Sequence, residues 1–209
     1  MRILWASPLP PIRSGVSDYA VDLLAELGRS ARVRVVRPPE WSQPDDWPLG
    51  DSVELVATGT RPEDDEIAVV HLGNNPHHLW VLYLLGGRHT AVVLHDLTLH
   101  HLLVEAAGGG GRFGRFEECI REAHGQRGGA IAVARALGLS ARRDPFLFPA
   151  RRPFIGGAEA VIVHSGWAES TLHAEFPGLE VGRMDLPVAD PGAVDRRRVR
   201  EEHGIAEND

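Results

Sequence analysis

A single cysteine, Cys119, stands in the 209 residues. Neither a disulfide framework nor a thiolate metal site can therefore be built within one chain, and Cys119 reads as a small buried hydrophobe on a helix. No stretch reaches about 18 uninterrupted apolar residues, which excludes a spanning helix. No charged leader with a long apolar segment precedes the strand-like run Met1-Arg2-Ile3-Leu4-Trp5-Ala6, so no secretory signal is expected and the expected location is cytoplasmic. Basic excess is lacking too: 22 basic residues face 29 acidic ones, a formal net charge of −7. That balance argues against a nucleic-acid partner held by phosphate neutralisation. The chain also lacks internal repeats, extended low-complexity segments, a Gly-x-Ser-x-Gly elbow and a His-x-Glu-x-x-His metal motif.

What remains is an ordinary globular composition, 43% apolar and 24% charged, long enough for one large domain or two small ones with a real core. Strand-like and helix-like segments alternate. Residues 2–7, 33–36, 67–72, 91–94 and 161–163 are short apolar runs that read as strands, with 53–57 a weaker candidate. Residues 17–27, 76–85, 97–107, 113–137 and 165–175 carry helical periodicity, and Arg127-Gly128-Gly129 interrupts the longest of them. Residues 41–48 are proline-rich and acidic and read as an exposed connection, 108–111 as a flexible break, and 196–209 as a short helix and turn. Such alternation predicts an α/β, Rossmann-like, doubly wound and mostly parallel sheet with helices on both faces.

In such a sheet ligands sit beyond the carboxyl ends of the strands, and three strand ends carry polar residues. The densest is Ala91-Val92-Val93-Leu94-His95-Asp96-Leu97-Thr98-Leu99-His100-His101. A metal-hydrolase site of His95, Asp96 and His100 is one way to read it. Against this, adjacent helical residues such as His100 and His101 point about 100° apart, and no carboxylate cluster accompanies them. The second strand end, His71-Leu72-Gly73-Asn74-Asn75-Pro76-His77-His78, offers Asn74 as a hydrogen-bonding group for a sugar-like ligand and Asn75 as a helix cap before Pro76. The third ends in Val163-His164-Ser165, with Ser165 read as an N-cap opening on the cleft. Before the first helix, Gly15 stands where free amides and the helix dipole favour an anion; a turn requirement explains the glycine equally well. Gly109, Gly111 and Gly114 spell Gly-x-Gly-x-x-Gly, but after a helix, so the dinucleotide fingerprint lacks its context. The rings of Trp41, Trp47, Trp80 and Trp167 read as core. Arg142, Arg143, Arg151 and Arg152 read as a solvated loop face, with an acidic acceptor or an anionic membrane surface as the alternative.

Four segments occur in the order seen in one family: Pro-Pro-Ile-Arg-Ser-Gly-Val-Ser-Asp-Tyr at 10–19, His-Leu-Gly-Asn-Asn-Pro-His-His at 71–78, Val-Leu-His-Asp-Leu-Thr-Leu-His-His-Leu at 93–102 and Val-Ile-Val-His-Ser at 161–165. Through them the chain resembles the N-terminal domain of retaining GT-B glycosyltransferases of the group 1, or family 4, type. The resemblance implies that residues 1–190 form the acceptor-side half of a two-domain enzyme and that 191–209 lead into a C-terminal donor-binding domain. It further implies sugar transfer from a nucleotide-sugar donor to a glycan, lipid or small-molecule acceptor, with no metal or other cofactor. Gly15 then matches the loop glycine whose backbone meets the donor diphosphate, flanked by Ser14, which replaces a first glycine found in many relatives, and by Val16. His95 matches the histidine that reaches the transferred sugar, and Asn74, Asp96 and Ser165 line the cleft. The family's paired glutamates and its Arg/Lys pair belong to the second domain, and no convincing Glu-x7-Glu is present here. An isolated chain is accordingly expected to be folded and nearly inactive. The rival expectation is a catalytically inert ligand-binding domain of the same fold.

Overall fold

The apolar runs pair into one sheet. In the computed structural model, which describes residues 1–45, 47, 49, 52–109, 114–186 and 195–206, the strands are β1 (Arg2–Ala6), β2 (Arg32–Val36), β3 (Glu54–Val56), β4 (Glu66–Leu72), β5 (Thr90–Leu94), β6 (Ala160–Val163) and β7 (Glu180–Arg183). All neighbours run parallel, in the order β3-β2-β1-β4-β5-β6-β7. That is the Rossmann-type order, and the direction of winding reverses between β1 and β4. The helices are α1 (Gly15–Leu27), α2 (His100–Ala106), α3 (Phe116–Ala136), α4 (Asp144–Leu147), α5 (Arg152–Ile155), α6 (Gly166–Glu175) and α7 (Arg196–Glu202), with a 3-10 helix over Pro76–Leu84.

Side chains alternate across the sheet with the two-residue period of a strand. Ile3 and Trp5 of β1 join Val33 and Val35 of β2 in a core beneath α1, built on Tyr19, Ala20 and Leu24. Leu4 and Ala6 point the other way, into a larger core with Val70, Leu72, Val92 and Leu94, covered by α2, α3, α5 and α6 through residues such as Leu102, Ile120, Phe154 and Leu172. Helices therefore cover both faces, as the alternation of segments requires, and the sheet is parallel throughout.

Several local expectations are corrected. Residues 41–48 are not a plain exposed loop: Trp47 is buried, Trp41 donates its Nε1–H to Pro10 O at 2.6 Å, and the two indoles meet edge to face. The helix expected over 97–107 begins only at His100, because the amide of Leu99 bonds to Pro149 O instead of starting a turn. The break in α3 falls at Gly125 (φ 60°, ψ −140°), not at Arg127-Gly128-Gly129. Gly128 has a different role, since a Cβ there would lie 2.0 Å from Ile120 O, so only glycine lets the two halves of α3 pack so closely. The strand β7 carries no apolar run, with Val181 as its one buried residue, and its sequence gave no strand signal. Gly111 and the residues around the 190/191 boundary lie outside the described residues.

Candidate functional site at the carboxyl edge of the sheet

Each strand next to the winding reversal delivers a polar or aromatic group to its carboxyl end. β1 leads to Ser7, whose Oγ accepts from Trp5 Nε1 at 2.7 Å. β4 carries His71 as its penultimate residue, β5 is followed at once by His95, and β6 by His164. From the first helix, Tyr19 inserts its ring among them, with centroids 5.7 Å from His71, 5.1 Å from His95 and 5.3 Å from His164. His95 lies 5.3 Å from His71 and 5.0 Å from His164, and Trp5 packs on His71 at 4.2 Å. Histidines closing three adjacent strands are the signal that would have found His71 and His164 beside His95.

His71 and His95 are held neutral. Burial pushes His71 well below the ordinary imidazole value, and the neighbouring histidines add to it. Burial, then His164 and His78, push His95 down to about 3. Tyr19 goes the other way, raised by burial to about 12, so its phenol keeps its proton. Proton positions follow from the hydrogen bonds. A carbonyl can only accept, so His164 donates from Nδ1 to Met184 O at 2.8 Å and His78 from Nδ1 to His71 O at 2.9 Å. The Nε2 of each is buried and without a partner. His71 Nδ1 lies 3.0 Å from His95 Nε2, and His71 Nε2 is buried and unpaired. An orphaned buried N–H is rarer than an orphaned acceptor, so Nδ1 carries the His71 proton and donates it to His95 Nε2. His95 must then hold its own proton on Nδ1, which has no partner among the described residues and is left as a neutral donor.

A second group of donors adjoins the histidines. Ser14 is the N-cap of α1, its Oγ accepting from Ser17 N at 3.1 Å. Gly15 and Val16 follow in the first turn, where their amides have no intrahelical acceptor. Gly15 has no positive φ, and a Cβ placed on it would meet nothing within 4 Å. Neither a turn nor a protein neighbour requires glycine at that position. Two more polar atoms on this helix, Ser17 Oγ and Tyr19 Oη, are buried and unpaired.

The remaining sequence-designated residues have local partners. Asn74 Oδ1 accepts from the amides of His101 (2.9 Å) and Leu102 (3.1 Å), capping α2 across the loop. Asp96 Oδ2 accepts from Asn74 N at 2.8 Å, so these two tie the ends of β4 and β5 together. Asn75 caps the 3-10 helix through His77 N, and Ser165 caps α6 through Ala168 N. His100 turns away into the core and donates from Nδ1 to Phe148 O at 2.8 Å, while His101 is exposed. His95, Asp96 and His100 thus face three different directions. Among the described residues no three His, Cys, Asp or Glu side chains are grouped as a metal site requires. Trp167, read as core from the sequence, is instead 73% exposed at the start of α6.

No protein-family model matches the chain, and neither does any curated protein. Among solved structures the chain is similar to a UGT transferase from Siraitia grosvenorii in complex with UDP, at 12% identity and a TM-score of 0.41. The match covers 96% of this chain and 54% of that one, so the chain spans about half the length of its structural neighbour. No described helix is long and apolar enough to cross a membrane.

Proposed function

We propose that the chain is the N-terminal, acceptor-side half of a retaining GT-B glycosyltransferase, residues 1–190, with 191–209 leading to a donor-binding domain. Its carboxyl edge receives the diphosphate and the transferred sugar of a nucleotide-sugar donor. The observation that carries this reading is Gly15, a glycine on the first turn of a helix with free amides and open space where its Cβ would be. A ligand that must approach the backbone closely explains it, and an anion is the ligand a helix N-terminus favours. His95 supports the same reading, since a neutral Nδ1–H suits a sugar hydroxyl better than it suits proton transfer near neutral pH.

In mechanistic terms the chain's residues position and polarise. Gly15 and Val16 present amide donors to the departing diphosphate, Ser14 holds those amides in place, and His95 fixes the sugar over them. Asp96 and Asn74 hold the loops that frame the cleft, and Ser165 presents the start of α6 to it. Among the described residues no arginine takes part in the histidine cluster, so the larger share of diphosphate neutralisation belongs to the second domain, and the chain alone is expected to bind donor weakly and to transfer almost nothing. The test is Gly15→Val. We expect the melting temperature to stay within about 2 °C of the parent, since the added atoms enter open space, and nucleotide-sugar binding measured by calorimetry to fall at least roughly ten-fold, the scale of one lost close contact. Unchanged binding in Gly15→Val would remove the basis of the proposal, and measurable transfer by this chain alone would overturn the division of labour.

A further inference from the structure

The loop between β5 and α2 carries His95 and Asp96, and residues 97–99 of it stay out of the helix that begins at His100. Winding α2 back by two residues needs two hydrogen bonds, His101 N to Leu97 O and Leu102 N to Thr98 O, the i to i−4 pattern of a helix. Their members are engaged elsewhere. Both amides are donated to Asn74 Oδ1, at 2.9 and 3.1 Å, and Leu97 O accepts from Arg151 Nη1 at 2.8 Å. One side chain thus holds the donor of the Leu97–His101 bond and a second holds its acceptor.

Arg151 was read from the sequence as part of a solvated face, yet it is turned inward, its side chain 13% exposed. Its Nε donates to Glu175 Oε2 at 2.7 Å and its Nη2 to the same oxygen, which leaves Nη1 for the Leu97 carbonyl. Glu175 is the last residue of α6, so the loop is fastened to that helix. The backbone next to Arg151 is fixed as well. Ala150, at φ 57°, donates its amide to His124 Nε2 at 3.2 Å, Pro149 O accepts from Leu99 N at 2.7 Å, and Phe148 O accepts from His100 Nδ1 at 2.8 Å. Residues 148–151 therefore grip the loop at 97, 99 and 100, and Asn74 grips it at 101 and 102.

We infer that Arg151 is a positioning residue for the proposed sugar site: with Asn74 it holds residues 97–99 outside the helix and so fixes where His95 and Asp96 stand at the end of β5. The inference rests on the role proposed above for His95. A guanidinium suits the task because its planar fork reaches a carboxylate and a carbonyl at once in fixed directions, which a lysine ammonium does not. If Arg151 served only to tie α5 to α6, Glu175 would suffice as its partner. The bond to Leu97 O is what connects it to the site.

Arg151→Lys in the full chain, with Glu175→Gln as its control, tests this by NMR. Lysine keeps the pair with Glu175 and withdraws the donor from Leu97 O, whereas glutamine weakens the pair and leaves that donor in place. We expect the ¹³Cα shifts of Leu97, Thr98 and Leu99 to move towards helical values in Arg151→Lys and the ring nitrogens of His95 to shift with them. Glu175→Gln should leave both where they are. Adding Asn74→Ala to Arg151→Lys should carry the winding further, because His101 N and Leu97 O are then both free to meet. Nucleotide-sugar affinity measured by calorimetry should fall roughly ten-fold in Arg151→Lys, the lower end of what one hydrogen bond to a charged group carries, and stay close to the parent's in Glu175→Gln. Unchanged shifts at 97–99 and His95 in both Arg151→Lys and the double variant would overturn the inference. So would equal shifts in Glu175→Gln, which would assign the effect to the ion pair alone. A parent chain that binds no nucleotide sugar would overturn the proposed function instead, and the loop shifts would still decide whether Arg151 holds His95 in place.

Discussion

The two edges of the sheet solve the problem of buried polar groups in opposite ways. At the amino edge the groups are charged and paired mainly with one another, with Glu66 Oε1 and Arg2 Nε the two buried atoms there that lack a hydrogen-bond partner. Glu66, 1% exposed, bonds to Arg34 Nη1 at 2.8 Å and accepts from the amide of Glu63 at 2.9 Å. Glu63 reaches Arg34 in turn at 2.8 Å, and Asp65 pairs with Arg2 at 2.7 Å, which lowers the Asp65 carboxyl below its ordinary value. At the carboxyl edge the groups are imidazoles, a hydroxyl and a phenol: His71, His78 and His164 each have a buried Nε2 without a partner, and Ser17 and Tyr19 each such an oxygen. Unsatisfied donors and acceptors in one place cost stability, and they are tolerated where something else completes them. On the proposed function, the charged edge is structural and the neutral edge is the one that takes the ligand.

Breaking the closed edge should have the largest effect. Glu66→Ala leaves Arg34, whose side chain is 11% exposed, with only the half-exposed Glu63. We expect a loss of about 3 kcal/mol in urea unfolding, as for other buried pairs deprived of one partner, and no change in nucleotide-sugar binding.

The open edge should instead betray itself through pH. His71, His78, His95, His100 and His124 all sit below the ordinary imidazole value of 6.5, first of all because they are buried. In the unfolded chain they take up protons near pH 6.5, in the folded chain only below it, and well below it for His71 and His95. The unfolded state therefore gains protons first, and stability falls as pH drops through 6.5 towards 3, the value to which His95 is held. Urea midpoints measured between pH 7.5 and 4.5 should decline, and His71→Phe should flatten that decline; a stability that rises on acidification would contradict the burial of these rings.

Smaller effects refine the contrast. Asn74→Ala removes the cap of α2 and should cost about 1 kcal/mol, read as a shift of the thermal midpoint. His71→Phe at pH 7.5 should cost less than about 1 kcal/mol, because His95 Nε2 can turn to water and an aromatic ring still packs on Trp5. The same variant should weaken nucleotide-sugar binding, since His95 then loses the partner that fixes its proton on Nδ1.

The carboxyl edge was legible in the sequence, whereas the ion pairs of the amino edge, which join residues far apart along the chain, were not. The continuous apolar runs of β1, β4, β5 and β6 marked buried strands, and the polar residues that end them marked the edge proposed to bind. Asn75 and Ser165 were legible as caps because capping is local chemistry. Three things were not. β7 is a four-residue edge strand with one buried side chain, so it has no period to read. The function of Gly128 depends on Ile120, brought close only by the break at Gly125. The exposure of Trp167 and Phe146 depends on which side of a short helix meets the sheet, and neighbouring residues do not settle that. His71, His164 and Tyr19 fall between these cases: each strand end was visible, but their convergence required the strand order.

The most direct test is a ¹H–¹⁵N spectrum of the chain, labelled also at histidine, titrated with nucleotide sugars. The account predicts that the largest shifts fall on the amides of Gly15 and Val16 and on the Nδ1 of His95, with His95 neutral and protonated on Nδ1 throughout, while the amides around Arg2, Arg34 and Glu66 stay still. Shifts confined to other surfaces, or none with any nucleotide sugar, would contradict it.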